Sequence, residues 1–135
     1  MKPNGIERRK FKRFFFPEQE NIRAIFSPPE NKEPVFVTKI LNLSEFGLGL
    51  VVRKIDHYSI TSGDILRLRF VLGDPHLTFI NDITSEIRWV MKHELLDHIA
   101  FGCEFTDISA DLREKIRCFI SNAEKMMCNS PQVIP

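Results

Sequence analysis

The 135 residues include one tryptophan, one tyrosine and three cysteines, Cys103, Cys118 and Cys128, with no Cys-x-x-Cys spacing among them. An odd set of unmatched thiols speaks against a disulfide framework and against a zinc site. Free thiols in a reducing cytosol are expected, with Cys103 and Cys118 as small core residues. No apolar run approaches the ~18 residues of a membrane span. The opening Met1-Lys2-Pro3-Asn4-Gly5 leads into charge rather than an apolar signal stretch. These absences predict a cytoplasmic chain without a membrane span. Catalytic signatures are missing too. His57, His76, His93 and His98 stand apart, no serine sits in a nucleophile elbow, and no glycine-rich phosphate loop carries a lysine. The expectation is of a protein that is not an enzyme, with no catalytic residue, metal or cofactor.

What is present is an ordinary globular composition, 43% hydrophobic and 27% charged, with twelve phenylalanines. A chain of this length folds as one domain with a real core. Phenylalanine brings apolar area with no polar atom to satisfy, so most of the twelve belong inside. Charge is distributed unevenly. Lys2, Arg8, Arg9, Lys10, Lys12 and Arg13 face a single acid, Glu7, in residues 1–13, a local net charge of +5. The whole chain is only +1, so the remainder carries −4. Concentrated positive charge implies an electrostatic target. Arg9 and Arg13, four apart, share one face in a helix and also in an extended chain. A guanidinium forks onto phosphate oxygens or onto guanine O6 and N7.

About thirty residues later comes Asn42-Leu43-Ser44-Glu45-Phe46-Gly47. Asn42 and Ser44, two apart, share one face of a strand. The Asn carbonyl can accept from guanine and the Ser hydroxyl can donate to phosphate. Gly47 permits a positive φ or a close approach of backbone to a ligand. Taken singly, a solvated basic tail and a chance turn are the plain readings of these two stretches. Together, Arg9-x-x-x-Arg13 followed by Asn42-x-Ser44-x-x-Gly47 resembles the signature of the PilZ domain family. Gly63-Asp64, Glu86-Ile87-Arg88-Trp89-Val90 and Phe101-Gly102-Cys103-Glu104-Phe105 fall where that family has such features, so the resemblance covers roughly residues 7–125. It implies a bacterial receptor for cyclic di-GMP. Arg9 and Arg13, assisted by Arg8, would take guanine and phosphate; Asn42 and Ser44 would read guanine or phosphate edges. Gly47 would admit the backbone, and Trp89 would stack on a base or lie half buried under the arm. Position 42 is Asn where the family more often has Asp, which keeps the acceptor and loses the charge.

Along the chain, residues 1–6 read as a flexible tail and 7–16 as a basic arm ending in Phe14-Phe15-Phe16. A membrane-surface anchor is one reading of that run; the favoured expectation is that some of the rings pack on the barrel and fix the arm's exit. Strands are predicted over 21–27, 35–43, 47–53, 65–72, 77–92 with a bend near Asn81-Asp82, and 98–105. In the second strand Phe36, Thr38, Ile40 and Asn42 would share one face; in the fourth, Leu66, Leu68, Phe70 and Leu72 would. Ser109 is the expected N-cap of a helix over 110–127, with Leu112, Ile116, Phe119, Ile120 and Ala123 as its apolar stripe. Residues 128–135 read as a frayed tail. The fold class is mainly β: a small six- to seven-stranded antiparallel, split β-barrel with a C-terminal α-helix, one domain over 7–127.

Two other functions compete with a cyclic di-GMP receptor. A nucleic-acid-binding barrel would use the same cations, yet the barrel itself is acidic and no nucleic acid is expected. A PilZ-like protein-interaction scaffold would not need the arginines. For a stand-alone receptor of this kind a downstream protein partner is expected, since no attached output domain is read in the sequence.

Overall fold

Among the described residues, turn residues and apolar alternation divide the chain into seven strands and one α-helix. The structure is a computed structural model that describes residues 13–29, 35–54 and 60–128. The strands are β1 (Phe14–Phe15), β2 (Arg23–Ser27), β3 (Phe36–Ser44), β4 (Gly47–Arg53), β5 (Ile65–Leu72), β6 (Asn81–Lys92) and β7 (His98–Phe105), followed by helix α1 (Ala110–Cys128). Tail residues 1–6, Arg8 and Arg9 of the arm, and residues 129–135 lie outside the described residues.

All pairings are antiparallel. The order β3, β2, β5, β6, β7, β4 closes when β4 returns to β3, giving a six-stranded barrel with β1 outside the ring. One edge of β3 is shared, β2 taking Phe36–Lys39 and β1 taking Asn42–Leu43, while β4 occupies the other edge. Phe26, Leu50, Leu68 and Phe101 have no exposed surface and fill the interior. Each such side chain contributes about 1.5–3 kcal/mol by leaving water.

Helix α1 starts where the sequence predicts. Ser109 Oγ accepts from the Leu112 backbone N–H at 3.1 Å, an N-cap that satisfies a donor the first turn leaves open. Ile116 and Ile120 are buried against the barrel. Phe119 receives the edges of Phe14 (centroids 6.1 Å apart) and packs beside Phe16 at 6.4 Å, so the phenylalanine run is tied to the helix.

Four expectations need correction. Cys118, expected in the core with Cys103, is exposed on the helix, because it lies off the apolar stripe of Ile116 and Ile120. Alternation from Ile40 would put Asn42 on the core face and Leu43 outside. Instead the register passes from Ile40↔Leu50 to Asn42↔Gly49, leaving Leu41 as an extra residue. One inserted residue exchanges the two faces of everything beyond it. Leu43 therefore enters the core and Asn42 leaves it. In β5 the same kind of shift at Arg69 takes Val71 inside and leaves Phe70 and Leu72 on the surface, against the predicted face. Residues 77–80 do not begin the long strand. Pro75–Leu77 form a turn of 3-10 helix capped by Asp74, whose Oδ1 accepts from the His76 N–H at 2.9 Å. Leu77 and Ile80 plug the barrel there, and β6 begins at Asn81 with Asp82 at a φ of 56°.

Candidate ligand site on the barrel face

A third bulge matches the one at Leu41. On β6 the register jumps from Ile87↔Cys103 to Trp89↔Gly102, so Arg88 is extra and Trp89 turns away from the core. The two bulges deliver Asn42 and Trp89 to the same outer row. Across it run Phe15, Asn42, Gly49, Gly102 and Trp89, on β1, β3, β4, β7 and β6. Four strand spacings of about 4.8 Å make the row roughly 19 Å long. Gly49 lies between buried Leu48 and Leu50, and Gly102 between buried Phe101 and Cys103, so both bare positions face outward.

The empty positions are filled from the sides. A Cβ on Gly49 would lie 2.5 Å from Asn42 Nδ2, and one on Gly102 would collide with Trp89 Nε1. The Asn42 amide thus lies over one glycine and the indole over the other. Asn42 is buried to 9% exposure, and its Oδ1 has no hydrogen-bond partner among the described residues. An unpaired buried acceptor costs about 1–3 kcal/mol, so this amide oxygen can still take a donor. Trp89 keeps 41% of its surface exposed, and Phe15 at the other end keeps 63%. Phe15 went unrecognised in the sequence because a triple phenylalanine carries no strand alternation of its own. Only its pairing with Asn42 places it in the row.

The adjacent row holds Ser44, Gly47, Glu104 and Glu86. Ser44 Oγ accepts from the Phe46 N–H at 3.2 Å, which leaves its own O–H available to donate. Gly47 has no positive φ; its close approach is to β7, where a Cβ would collide with the Cys103 carbonyl. Arg88 bridges Glu86 and Glu104, each at 3.3 Å, and offsets acidic charge at the site's edge. Arg13 is exposed immediately before β1, and continuing the Phe14↔Leu43 register sets it alongside Ser44. Described site residues from both halves, Arg13, Asn42, Ser44 and Gly47, therefore meet on one face together with Trp89.

Glu45 and Phe46 form the turn beside this face, and both are held by α1. Glu45 Oε1 accepts from Arg117 Nη1 at 2.7 Å and from Arg113 Nη2 at 3.3 Å, and the Arg113 guanidinium lies 4.7 Å from the Phe46 ring centre. Arg117 also donates to Glu114, and that bond holds the Glu114 carboxyl below its ordinary range. Among the described residues no group of three or more His, Cys, Asp or Glu side chains could hold a metal, and no helix is long and apolar enough to cross a membrane.

Comparison with solved structures places the fold. The PilZ domain of YcgR from Escherichia coli, solved with c-di-GMP, superposes with a TM-score of 0.70 at 9% identity, covering 94% of this chain and 99% of that one. The YcgR complex with c-di-GMP, also from Escherichia coli, gives 0.70 at 12% identity over 93% of this chain and 50% of that one. The Bacillus subtilis inhibitor of motility MotI/DgrA gives 0.61 at 18% identity over 87% and 51%. The chain thus spans about half the length of these two larger proteins. No curated protein matches it. The family model for the PilZ domain matches residues 7–122, nearly the whole chain, and the protein belongs to the PilZ domain family.

Proposed function

We propose that this protein is a cyclic di-GMP receptor that works by binding rather than catalysis, in the cytoplasm, and passes the signal to a protein partner. The observation that carries this reading is the outer row itself. A buried amide oxygen without a partner lies between two exposed aromatic rings, next to a serine hydroxyl free to donate, with Arg13 entering from the arm. A cyclic dinucleotide offers what those groups lack: guanine N–H donors for Asn42, phosphate oxygens for Ser44 and the arginines, and flat bases for Trp89. The solved c-di-GMP complexes of the YcgR PilZ domain and of MrkH from K. pneumonia support the ligand's identity.

Arg9 and Arg13 are assigned to guanine and phosphate, with Arg8 assisting. Asn42 and Ser44 read the ligand edges, and Gly47 lets the turn sit flat on β7. The arm closes over the barrel face as ligand draws its cations down, and this ordering alters the surface offered to the partner. A nucleic-acid function is less well supported, because the chain beyond residue 13 is net acidic and the outer row is apolar and amide-lined rather than basic.

Titration calorimetry with cyclic di-GMP tests the reading, run on the wild type beside Arg9→Ala and Arg13→Ala. Saturable binding that both substitutions abolish is the expected result, and its molar ratio gives one ligand or a stacked pair. No heat at about tenfold excess over a micromolar Kd, with a folded protein, would overturn it.

A further inference from the structure

Within the stretch from Asn42 to Gly47, Glu45 and Phe46 carry no ligand chemistry in the proposed site. Both are nonetheless tied to α1. The Glu45 side chain is about nine-tenths buried, while Arg113 and Arg117 keep 35% and 47% of theirs exposed. Three guanidinium N–H groups converge on one Glu45 oxygen: Arg117 Nη1 at 2.7 Å, Arg113 Nη2 at 3.3 Å and Arg113 Nε at 3.4 Å. Arg113 also covers the Phe46 ring. The Phe46 N–H in turn donates to Ser44 Oγ. A continuous set of contacts therefore runs from the helix, through the turn, to the hydroxyl that faces the site.

We propose that Glu45, Arg113 and Arg117 are positioning residues for the ligand site, holding the Ser44–Gly47 turn in its binding geometry before ligand arrives. This rests on the anionic-nucleotide reading above. A two-residue turn left to itself samples several conformations, and freezing it on binding weakens affinity; a turn already held avoids that loss. Glu45 also makes the proposal separable from simple electrostatics. Its charge, close to a phosphate-binding face, by itself opposes an anionic ligand. Removing it should tighten binding if charge alone matters, and loosen binding if positioning matters.

The test is calorimetric titration of the full-length protein with cyclic di-GMP, with thermal melts alongside. Glu45→Met keeps the side-chain length and removes charge and acceptors together; taking one partner from an ion pair costs stability, but Arg113 and Arg117 keep 35% and 47% of their side chains exposed and can turn to water. Binding about tenfold weaker than wild type is expected, with the deficit persisting at about 1 M salt, where the Debye length is ~3 Å and charge effects are screened. Equal or tighter binding by a folded Glu45→Met overturns the proposal. A second variant, Glu114→Ala with Arg117→Ala, leaves net charge unchanged and alters exposed helix positions where alanine is well accepted. It removes the shortest of the Glu45 bonds, and a loss of about threefold is expected; unchanged affinity overturns the proposal even if Glu45→Met does not fold. Wild type that binds no cyclic di-GMP brings down the receptor reading itself, an outcome distinct from wild type that binds and variants that bind equally well.

Discussion

Gly49 on β4 and Gly102 on β7 stand directly opposite each other, and their missing side chains make room for the Asn42 amide on one side and the Trp89 indole on the other. Neither glycine has a positive φ, so space rather than backbone freedom is what the site takes from them. In Gly102→Ala the new methyl would occupy the place of the indole nitrogen, and the half-exposed ring must swing outward. Trp89 is the single tryptophan, so its emission should move toward that of a solvated indole. Cyclic di-GMP binding should weaken about tenfold, ~1.4 kcal/mol. Displaced emission with undiminished affinity would remove Trp89 from the site.

Asn42→Ala separates binding from stability. The Oδ1 of Asn42 is buried without a partner among the described residues, so truncation removes an unsatisfied acceptor rather than a bond. Stability in urea should stay within about 1 kcal/mol of wild type or rise, while ligand affinity falls by about tenfold or more. A large loss of stability would mean that the amide serves the fold and not the ligand.

Gly47 should behave in the opposite way. A Cβ there collides with the Cys103 carbonyl, which belongs to the β7 backbone and cannot move without breaking the ladder. Gly47→Ala should cost about 1–3 kcal/mol in denaturant unfolding, as overpacking does. Any weakening of ligand binding should follow from that distortion. A wild-type melting temperature would contradict this account.

Two thiols differ sharply. Burial pushes the Cys103 thiol up from 9.0 to about 12, only partly offset by its hydrogen bond with Ser85, whereas Cys118 is exposed on α1. The folded pKa lies above the unfolded one, so the stability gained by keeping this thiol neutral is complete below about pH 9 and is lost as pH rises toward 12. In a Cys128→Ser background at about pH 8, a thiol reagent should label one cysteine in the folded protein and two in denaturant. Rapid labelling of Cys103 in the folded state would show that its surroundings open.

Much of this was written locally. Strands β4, β5 and β7 begin and end where alternation and turn residues place them. Ser109 marks the start of α1 because a short polar side chain before an apolar stripe has one economical use. The two basic and polar stretches are joined by their resemblance to the PilZ signature and by side-chain chemistry complementary to a nucleotide; of the cations in the arm, only Arg13 lies within the described residues. The direction in which Asn42 points could not be read, since period-2 alternation assigns it to the core.

The sequence by itself determined the strand and helix content, the cationic arm and the identity of the polar groups, because propensity, charge and hydrogen-bonding capacity belong to each residue. Only the tertiary structure decided which of them share the outer face of the barrel. Extra residues at Leu41 and Arg88 exist only relative to the strands beside them, and they turn Asn42 and Trp89 outward onto the two glycines. The tie between Glu45 and Arg113 and Arg117 likewise spans 68 and 72 residues of chain. A bulge is a mismatch between two strands and an ion pair is a meeting of two elements, so neither is a property that one stretch of sequence can express.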